Sequence, residues 1–350
     1  MEPAKVPLRR AEPAAVAAVS ASIAMYGAAV VWAGAEQVAA ELGRVGPWVC
    51  LGLLALSLVN YAARGLRWHL FTRALKLPVP LRRSALYYVA GFAMTPTPGK
   101  LGEALRLWLI ARGHGCRYRR SAALQIGDQL SDLQAMLLLC LLGAPALAAA
   151  SHPWALAAAA ALLALASWLL LRPALLLRLL LVAYGWVGTR PRLFAGFRVL
   201  LRQTASLMAR RVYVAALALA LLAWLAQCLA LYWLLAALDA GVTVQQAVFV
   251  FAGATLVGAL SFLPGGLGGT EASMVVLLLV LGVEAGTAVT ATAVIRLATL
   301  WFAVGLGFLA LPRALRLVRP AALPPVVAVR QEPGWQRQVS EARPIAGRTD

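Results

Sequence analysis

Long apolar runs separated by short basic segments dominate the pattern along the chain. Six runs of this kind are present, at residues 14–34, 47–63, 121–146, 154–171, 212–238 and 285–311. A helix needs about 17–25 mostly apolar residues to cross a bilayer. The pattern therefore predicts an all-α integral membrane protein, built as a polytopic helical bundle.

Two further pairs of apolar segments are shorter, and each pair is interrupted by proline and glycine. The first interruption reads T-P-T-P-G-K-L-G-E-A-L-R over residues 95–106, and the second reads S-F-L-P-G-G-L-G-G-T-E-A-S over residues 261–273. Proline removes a backbone donor, and glycine permits conformations that break a helix. We interpret each pair as a broken, re-entrant helical hairpin. Two alternatives remain open: a tight turn at the membrane surface, or arms that span. The predicted arms cover residues 84–97 and 100–113, then 243–262 and 270–283.

The order of span, hairpin and span occurs twice, in repeat A (47–146) and repeat B (212–311). Lys and Arg are enriched in cytoplasmic loops. All but two of the 32 basic residues, Arg44 and Arg296, fall in segments that this arrangement assigns to the cytoplasm. The two hairpins then face opposite sides of the membrane, which predicts an inverted-topology repeat.

The predicted domains are a cytoplasmic N-terminus (1–13), a transmembrane domain (14–311) and a disordered, basic cytoplasmic tail (312–350). Residues 14–34 are either a cleaved signal peptide or an uncleaved span, and their length favours the span. The segment 172–211 holds eight arginines and no acid. It is either amphipathic and bound to the inner surface or a plain cytoplasmic loop. The expected location is the bacterial plasma (inner) membrane.

Composition agrees with this class, because 62% of the residues are hydrophobic and 13% are charged, whereas soluble proteins have about 25% charged residues. The net charge of +19 would indicate nucleic acid on a soluble domain. Here the cations lie between apolar runs and serve as topology signals and contacts to anionic lipid, so no nucleic-acid partner is expected. The scattered cysteines predict neither a disulfide nor a metal site. They are Cys50, Cys116, Cys140 and Cys228.

The arm that follows each glycine motif begins a helix within or near the membrane. Its free N–H groups and its dipole favour an anion, and a lipid phosphate is the anion expected at that depth. Glu103 and Glu271 also have a plainer interpretation, as acids favoured by the helix dipole alone. The predicted substrate-binding residues of the two motifs are Pro98, Gly99, Lys100, Gly102, Glu103 and Arg106, then Pro264, Gly265, Gly266, Gly268 and Glu271.

Three charged residues outside the motifs complete the predicted site. Arg296 lies within an apolar run, where an arginine costs about 2.5–3.5 kcal/mol on insertion scales. It forms an ion pair with Glu271 or anchors a phosphate headgroup, and both roles coexist if the substrate competes for the pair. Asp128 and Asp132 are one helical turn apart and share a face. They either couple transport to a proton or pair with Arg106 or Lys100. Neighbouring glutamines add polarity, as in a cavity wall; they are Gln125, Gln129 and Gln134.

These motifs together resemble the flippase-like family named after the transmembrane region of lysylphosphatidylglycerol synthases. The resemblance covers about residues 15–312 and implies an inverted-repeat fold that moves, or binds for moving, a phospholipid or polyprenyl lipid between leaflets. The family often has Glu-Arg where this chain has Asp128-Gln129, and Val-Arg where it has Gly269-Thr270. A different headgroup chemistry is therefore expected. The motifs are R-G-L-R-W (64–68), T-P-G-K-L-G-E-A-L-R (97–106), D-Q-L-S-D (128–132), P-G-G-L-G-G-T-E-A (264–272) and Arg296.

The predicted function is translocation of a phosphate-bearing phospholipid or polyprenyl-linked lipid, with membrane lipids as partners and no cofactor. The soluble aminoacyl-transferring domain of the synthases has no counterpart in residues 312–350, so lysylphosphatidylglycerol synthesis is not expected. One alternative is a membrane-embedded enzyme that uses Asp128, Asp132 and Glu103 as acid and base groups. The other is a non-catalytic scaffold or accessory subunit that recruits a lipid-biosynthesis enzyme through residues 172–211. No nucleophile and base pair is present, so an enzyme is not the expectation.

Overall fold

The computed structural model describes residues 24–97, 101–147, 209–261 and 264–318, apart from positions 26 and 117, together with isolated helical positions at 161, 164, 165 and 207. All regular structure in these ranges is helical, which confirms the all-α fold class. Four described helices are long and apolar enough to cross a membrane. They are Pro47–Ala74, Ser121–Gly143, Arg210–Ala237 and Ala285–Leu317.

The first half contains two long helices with two shorter helices between them. Pro47 starts the first long helix at a position where its missing N–H costs nothing. After helical residues 27–33, the elements are α1 (Ala35–Arg44), α2 (Pro47–Ala74), α3 (Leu81–Ala90) with a 3₁₀ turn (Gly91–Met94), α4 (Leu101–His114), and α5 (Tyr118–Gly143) with a 3₁₀ turn (Ala144–Leu147).

The second half repeats this order of long, short, short and long helices. Thr243 and Gln246 form a capping box that fixes the start of the first short helix, because Gln246 N donates to Thr243 Oγ1 at 3.3 Å. The elements are α6 (Arg210–Ala237), α7 (Val244–Leu260), a 3₁₀ turn (Pro264–Gly266), α8 (Gly269–Val280), α9 (Ala285–Arg296), a π-helical turn (Leu297–Trp301) and α10 (Phe302–Leu317).

Two predicted boundaries are wrong. The span predicted to end at residue 63 continues as α2 to Ala74, so Arg64 and Arg67 lie in a helix rather than in a cytoplasmic loop. Acids on α5 neutralise them there, as described below. The predicted tail begins too early, because α10 continues through Pro312 to Leu317. Most of the predicted span at 154–171, most of 172–211 and the tail beyond 318 lie outside the described residues.

The buried apolar side chains form two clusters. One joins α5 and α6 with α7, α8 and α9, and the other joins α2, α3, α4 and α10. Where lipid surrounds the helices, close packing rather than escape from water holds such clusters together.

Each half packs reciprocally on the other. The long helices α2 and α6 lie side by side, while α3 packs on α10 and α7 packs on α5. The first hairpin arm of each half therefore lies against the last helix of the opposite half. A two-fold relation between repeats produces this kind of exchange. The opposite orientation of the repeats stays a prediction.

Candidate functional site

A cavity of about 510 Å³ lies at the centre of the described helices and has walls from both halves. Gly102 and Glu103 of the first motif line it, as do Gly265 and Gly266 of the second. Binding sites for small molecules usually enclose about 300–1,000 Å³. The two interrupted hairpins thus contribute to one space that is large enough for a lipid headgroup.

The second motif turns through three glycines with left-handed backbone conformations. Their φ angles are 61° at Gly265, 69° at Gly266 and 85° at Gly268, values that strain any residue with a Cβ. A Cβ built on Gly265 would lie 3.4 Å from the carbonyl oxygen of Thr95. The second motif therefore sits directly against the end of the first arm of the other hairpin.

Some predicted residues cannot be placed in this geometry. Pro98, Gly99 and Lys100 lie outside the described residues, so the first motif is seen only on either side of its turn. Pro264 belongs to the 3₁₀ turn of the second motif, but its side chain is likewise not described. Gly268 shapes the turn without lining the cavity.

Arg296 and Glu271 form an ion pair, as one of the two sequence interpretations proposed. Arg296 Nε donates to Glu271 Oε1 at 2.7 Å, and Arg296 Nη2 donates to the carbonyl oxygen of Gly265 at 3.2 Å. Glu271 Oε2 accepts from the backbone N–H of Gly268 at 2.8 Å. The carboxylate of Glu271 therefore binds both the guanidinium of Arg296 and the N-terminus of α8. A phosphate at this helix N-terminus would take the same place.

Arg106 has a different environment. Its side chain is 5% exposed and lines the cavity. The guanidinium carbon lies 4.0 Å from the ring centre of Tyr88, 5.0 Å from that of Phe92 and 6.0 Å from that of Trp68. Its Nε donates to the carbonyl oxygen of Tyr88 at 3.1 Å. No carboxylate in the described part of the chain forms an ion pair with Arg106, so a buried cation faces the cavity without a paired anion.

Glu103 and Gln129 form a contact that parallels the pair in the second half. Gln129 Nε2 donates to Glu103 Oε1 at 2.5 Å, and both side chains line the cavity. In each half, then, the glutamate that follows the glycines accepts from a side chain on the last long segment of its own half. The donor is neutral in the first half and cationic in the second.

Asp128 and Asp132 belong to a buried ion network. Arg67 reaches Asp128 Oδ1 through Nη2 at 2.6 Å and Asp132 Oδ1 through Nη1 at 2.7 Å. Arg64 Nη2 contacts Asp132 Oδ2 at 3.0 Å, and Trp224 Nε1 donates to Asp132 Oδ1 at 2.7 Å. The predicted shared face is confirmed, because one arginine reaches both acids.

The pairing of these acids with Arg106 is wrong. The extension of α2 brings Arg64 and Arg67 to them instead, and Arg67 is fully buried. Neither Asp128 nor Asp132 lines the cavity, whereas Arg64 does. Asp132 therefore contacts two residues of the cavity wall, Arg64 and Trp224, whereas Asp128 pairs with Arg67 behind the wall.

The sequence prediction missed several cavity-lining residues on the long helices. Asn60 and Gln227 are single polar residues within apolar stretches, and each is 2% exposed. Isolated polar residues of this kind in membrane helices usually face the interior of the bundle, so that rule could have identified them. Further missed lining residues are Tyr61, Arg64 and Trp224.

A second, apolar groove of about 330 Å³ borders the ion pair on its other side. Trp32, Val275 and Leu279 contribute apolar walls, and Glu271 lies at its edge. Within the described ranges, no group of His, Cys, Asp or Glu side chains has an arrangement that would hold a metal ion.

Comparison with known proteins supports a family assignment. The family model for the lysylphosphatidylglycerol synthase TM region matches residues 16–307. A UPF0104 membrane protein of Methanothermobacter thermautotrophicus is 24% identical over 306 residues, covering 80% of this chain and 89% of the relative. Another UPF0104 membrane protein of the same organism is 39% identical over 89 residues, covering 25% of this chain and only 27% of the relative. The chain belongs to the family of the lysylphosphatidylglycerol synthase transmembrane region.

Proposed function

We propose that this integral membrane protein moves a phosphate-bearing lipid between the leaflets of the bacterial inner membrane, with the headgroup bound in the central cavity. The lipid is a phospholipid or a polyprenyl-linked lipid. The observation that carries the proposal is Arg106, a buried guanidinium that lines the cavity without an ion-pair partner among the described residues.

A buried charge is costly unless an opposite charge compensates it. A phosphate in the cavity supplies that charge to Arg106. A guanidinium binds phosphate through two parallel N–H bonds, and the Nε of Arg106 is already used by Tyr88, which leaves the two terminal nitrogens for the ligand. The rings of Tyr88 and Phe92 fix the plane of the guanidinium, so its geometry is set before the ligand binds.

The second half offers a second phosphate position that is closed in this structure. Arg296 and the N-terminus of α8 are occupied by Glu271. A phosphate that moves from Arg106 to Arg296 must therefore displace this carboxylate. Movement of the two hairpins against each other, near the contact of Thr95 and Gly265, would then change which side of the membrane the cavity faces.

The enzyme alternative receives little support from the geometry. Asp128 and Asp132 are both held in ion pairs and do not line the cavity. Glu103 does line it, but it accepts a hydrogen bond from Gln129. A general acid or base must reach the proton that it transfers, and the two aspartates have no access to a ligand in the cavity.

Transport of a fluorescent phospholipid in proteoliposomes tests the proposal. Arg106→Gln should lower the transport rate roughly tenfold or more, since a charge-assisted hydrogen bond contributes about 1.5–3 kcal/mol. Arg106→Lys should be intermediate, because lysine keeps the charge and loses the planar contact. Arg296→Ala and Glu271→Ala should abolish transport, because they remove the two groups of the second phosphate position.

Arg82→Gln is the matched control, because Arg82 is exposed at the start of α3. Protein-free liposomes define the background rate, and circular dichroism confirms that each variant keeps its helix content. Wild-type transport rates in a folded Arg106→Gln variant would overturn the proposal.

A further inference from the structure

Two side-chain amides line the central cavity with unmet hydrogen-bonding capacity. Asn60 lies on α2 and Gln227 on α6, and each is 2% exposed. An amide that is removed from water without a partner is costly, by about 1–3 kcal/mol. Buried polar groups in native proteins are therefore almost always satisfied by protein, water or a ligand.

Asn60 has a fixed orientation. Its Nδ2 donates to the carbonyl oxygen of Ala223 at 2.7 Å. Since a carbonyl only accepts, the other end of the amide must be Oδ1, an acceptor. This oxygen has no hydrogen-bond partner in the described part of the chain, so it is suited to a ligand that donates.

Gln227 lies one helical turn after Ala223 and therefore on the same face of α6. Its Oε1 is buried and has no hydrogen-bond partner among the described residues. The contact of Asn60 with Ala223 brings the two amides to the same region of the cavity wall. Together they present a donor and acceptors to whatever occupies that region.

We propose that Asn60 and Gln227 bind a hydroxyl group of the lipid headgroup, so that the ligand is a phospholipid with a hydroxylated headgroup such as glycerol, another polyol or a sugar. This inference rests on the proposed function, in which Arg106 binds the phosphate of the same lipid. A hydroxyl both donates and accepts. It therefore donates to Asn60 Oδ1 and can satisfy the amide of Gln227 through either of its ends.

The charge of the cavity disfavours the main competing donor, a headgroup ammonium. Among the described residues, the cavity-lining Arg64 and Arg296 are each paired with a carboxylate, whereas Arg106 is not. The carboxylate in the wall itself, Glu103, already accepts a hydrogen bond from Gln129. A cationic headgroup would add to the positive charge near Arg106, whereas a hydroxyl is neutral. A second phosphate oxygen is equally unsuitable, because it cannot donate to Asn60.

Native mass spectrometry of the purified full-length protein can test this, with phosphatidylglycerol, phosphatidylethanolamine and phosphatidic acid of identical acyl chains as probes. In the wild type, phosphatidylglycerol should bind more tightly than phosphatidylethanolamine. In Gln227→Leu, the ratio of phosphatidylglycerol to phosphatidic acid affinity should fall roughly threefold to tenfold, the loss expected for about one hydrogen bond. Binding of phosphatidic acid itself should not change.

Gln125→Leu is the matched control. Both polar atoms of the Gln125 amide are buried without a hydrogen-bond partner in the described residues, but Gln125 does not line the cavity. Its replacement should leave the affinity ratio unchanged. Asn60→Leu provides an independent variant that should lower the same ratio, in case Gln227→Leu does not fold.

Four outcomes separate the two proposals. An unchanged ratio in folded Gln227→Leu and Asn60→Leu variants overturns the hydroxyl site, and so does equal wild-type affinity for phosphatidylethanolamine and phosphatidylglycerol. Arg106→Gln should weaken all three lipids together. If Arg106→Gln weakens all three lipids while the amide variants have no effect, the phosphate site is supported and the hydroxyl site is overturned. If Arg106→Gln changes none of them, the proposed function itself fails.

Discussion

Gly102 shows how closely the two arms of the first hairpin approach each other. A Cβ at this position would lie 2.4 Å from the carbonyl oxygen of Gly91, on the opposite arm, and 3.2 Å from the carbonyl carbon of Met94. Backbone atoms cannot withdraw as a flexible side chain can. The glycine is therefore required by space, and the same residue forms part of the cavity wall.

Gly102→Ala should destabilise the protein by about 1–3 kcal/mol, the usual cost of overpacking. Thermal unfolding in detergent, followed by circular dichroism, measures the effect as a lowered midpoint. Gly305→Ala in α10 is the control, because a Cβ added there would meet open space and alanine is the better helix former. Equal midpoints for the two variants would contradict this account of the first hairpin.

The sequence predicts the contacts of some single residues but not of others. The pairing of Arg296 with Glu271 was one of two open interpretations, because a lone arginine in an apolar run needs a partner or a cavity. Arg64 and Arg67 could not be placed, since basic residues at the end of a span look the same whether the helix stops or continues. Only their contacts with Asp128 and Asp132 distinguish a buried pair from a loop.

At the scale of elements, a cluster of four charges, three of them buried, joins α2 to α5. Arg64 and Arg67 lie on α2, one turn apart, and Asp128 and Asp132 lie on α5, also one turn apart. Because both pairs are spaced by about one helical turn, the arginines face the acids along the contact between α2 and α5. Trp224 adds α6 to this contact through its bond to Asp132, so the network fixes three helices around the cavity.

Asp128→Asn should cost about 3–5 kcal/mol, because it leaves Arg67 buried with less than its full compensating charge. Asp239→Asn breaks an ion pair with Arg44 of equal length, 2.6 Å, but the Asp239 side chain is 83% exposed. That loss should be under about 1 kcal/mol. Denaturation of the two variants in parallel measures the loss of free energy of unfolding in each. Similar losses would show that burial does not determine how much these ion pairs stabilise the protein.

Element positions were predictable because hydrophobic length and helix breakers determine them. The arms around both motifs lie within a few residues of their predicted places. The π-helical turn after Arg296 and the exchange of partners between halves had no local signal. Both depend on contacts between segments that are far apart in sequence. The hydrophobic pattern of one segment carries no information about such contacts.

At the scale of the whole molecule, the proposed inverted repeat places the two hairpins on opposite sides of the membrane. The loop before α3 carries Lys76, Arg82 is exposed in the first turn of α3, and the loop before α7 carries exposed Asp239. We propose that the first loop and both termini are cytoplasmic and that the second loop is external. Reciprocal packing of α3 on α10 and α7 on α5 supports this arrangement.

Cysteine labelling tests the orientation. In a background where the exposed Cys50 is replaced by serine, Asp239→Cys should react with a membrane-impermeant maleimide in intact cells. Arg82→Cys should react only after the membrane is permeabilised. Labelling of both positions from the same side would contradict the inverted topology, and activity of each variant shows that its fold is retained.

The packing of α3 on α10 also sets an order for biosynthesis. A ribosome completes residues 81–94 long before residues 302–317, and chains generally begin to fold from the N-terminus as they emerge. The first arm of the hairpin can therefore pack on α2 and α4 early, but it lacks its third partner until α10 has been inserted. Premature termination before α10 would leave one side of α3 permanently uncovered, so we expect such fragments to be substrates for membrane quality control.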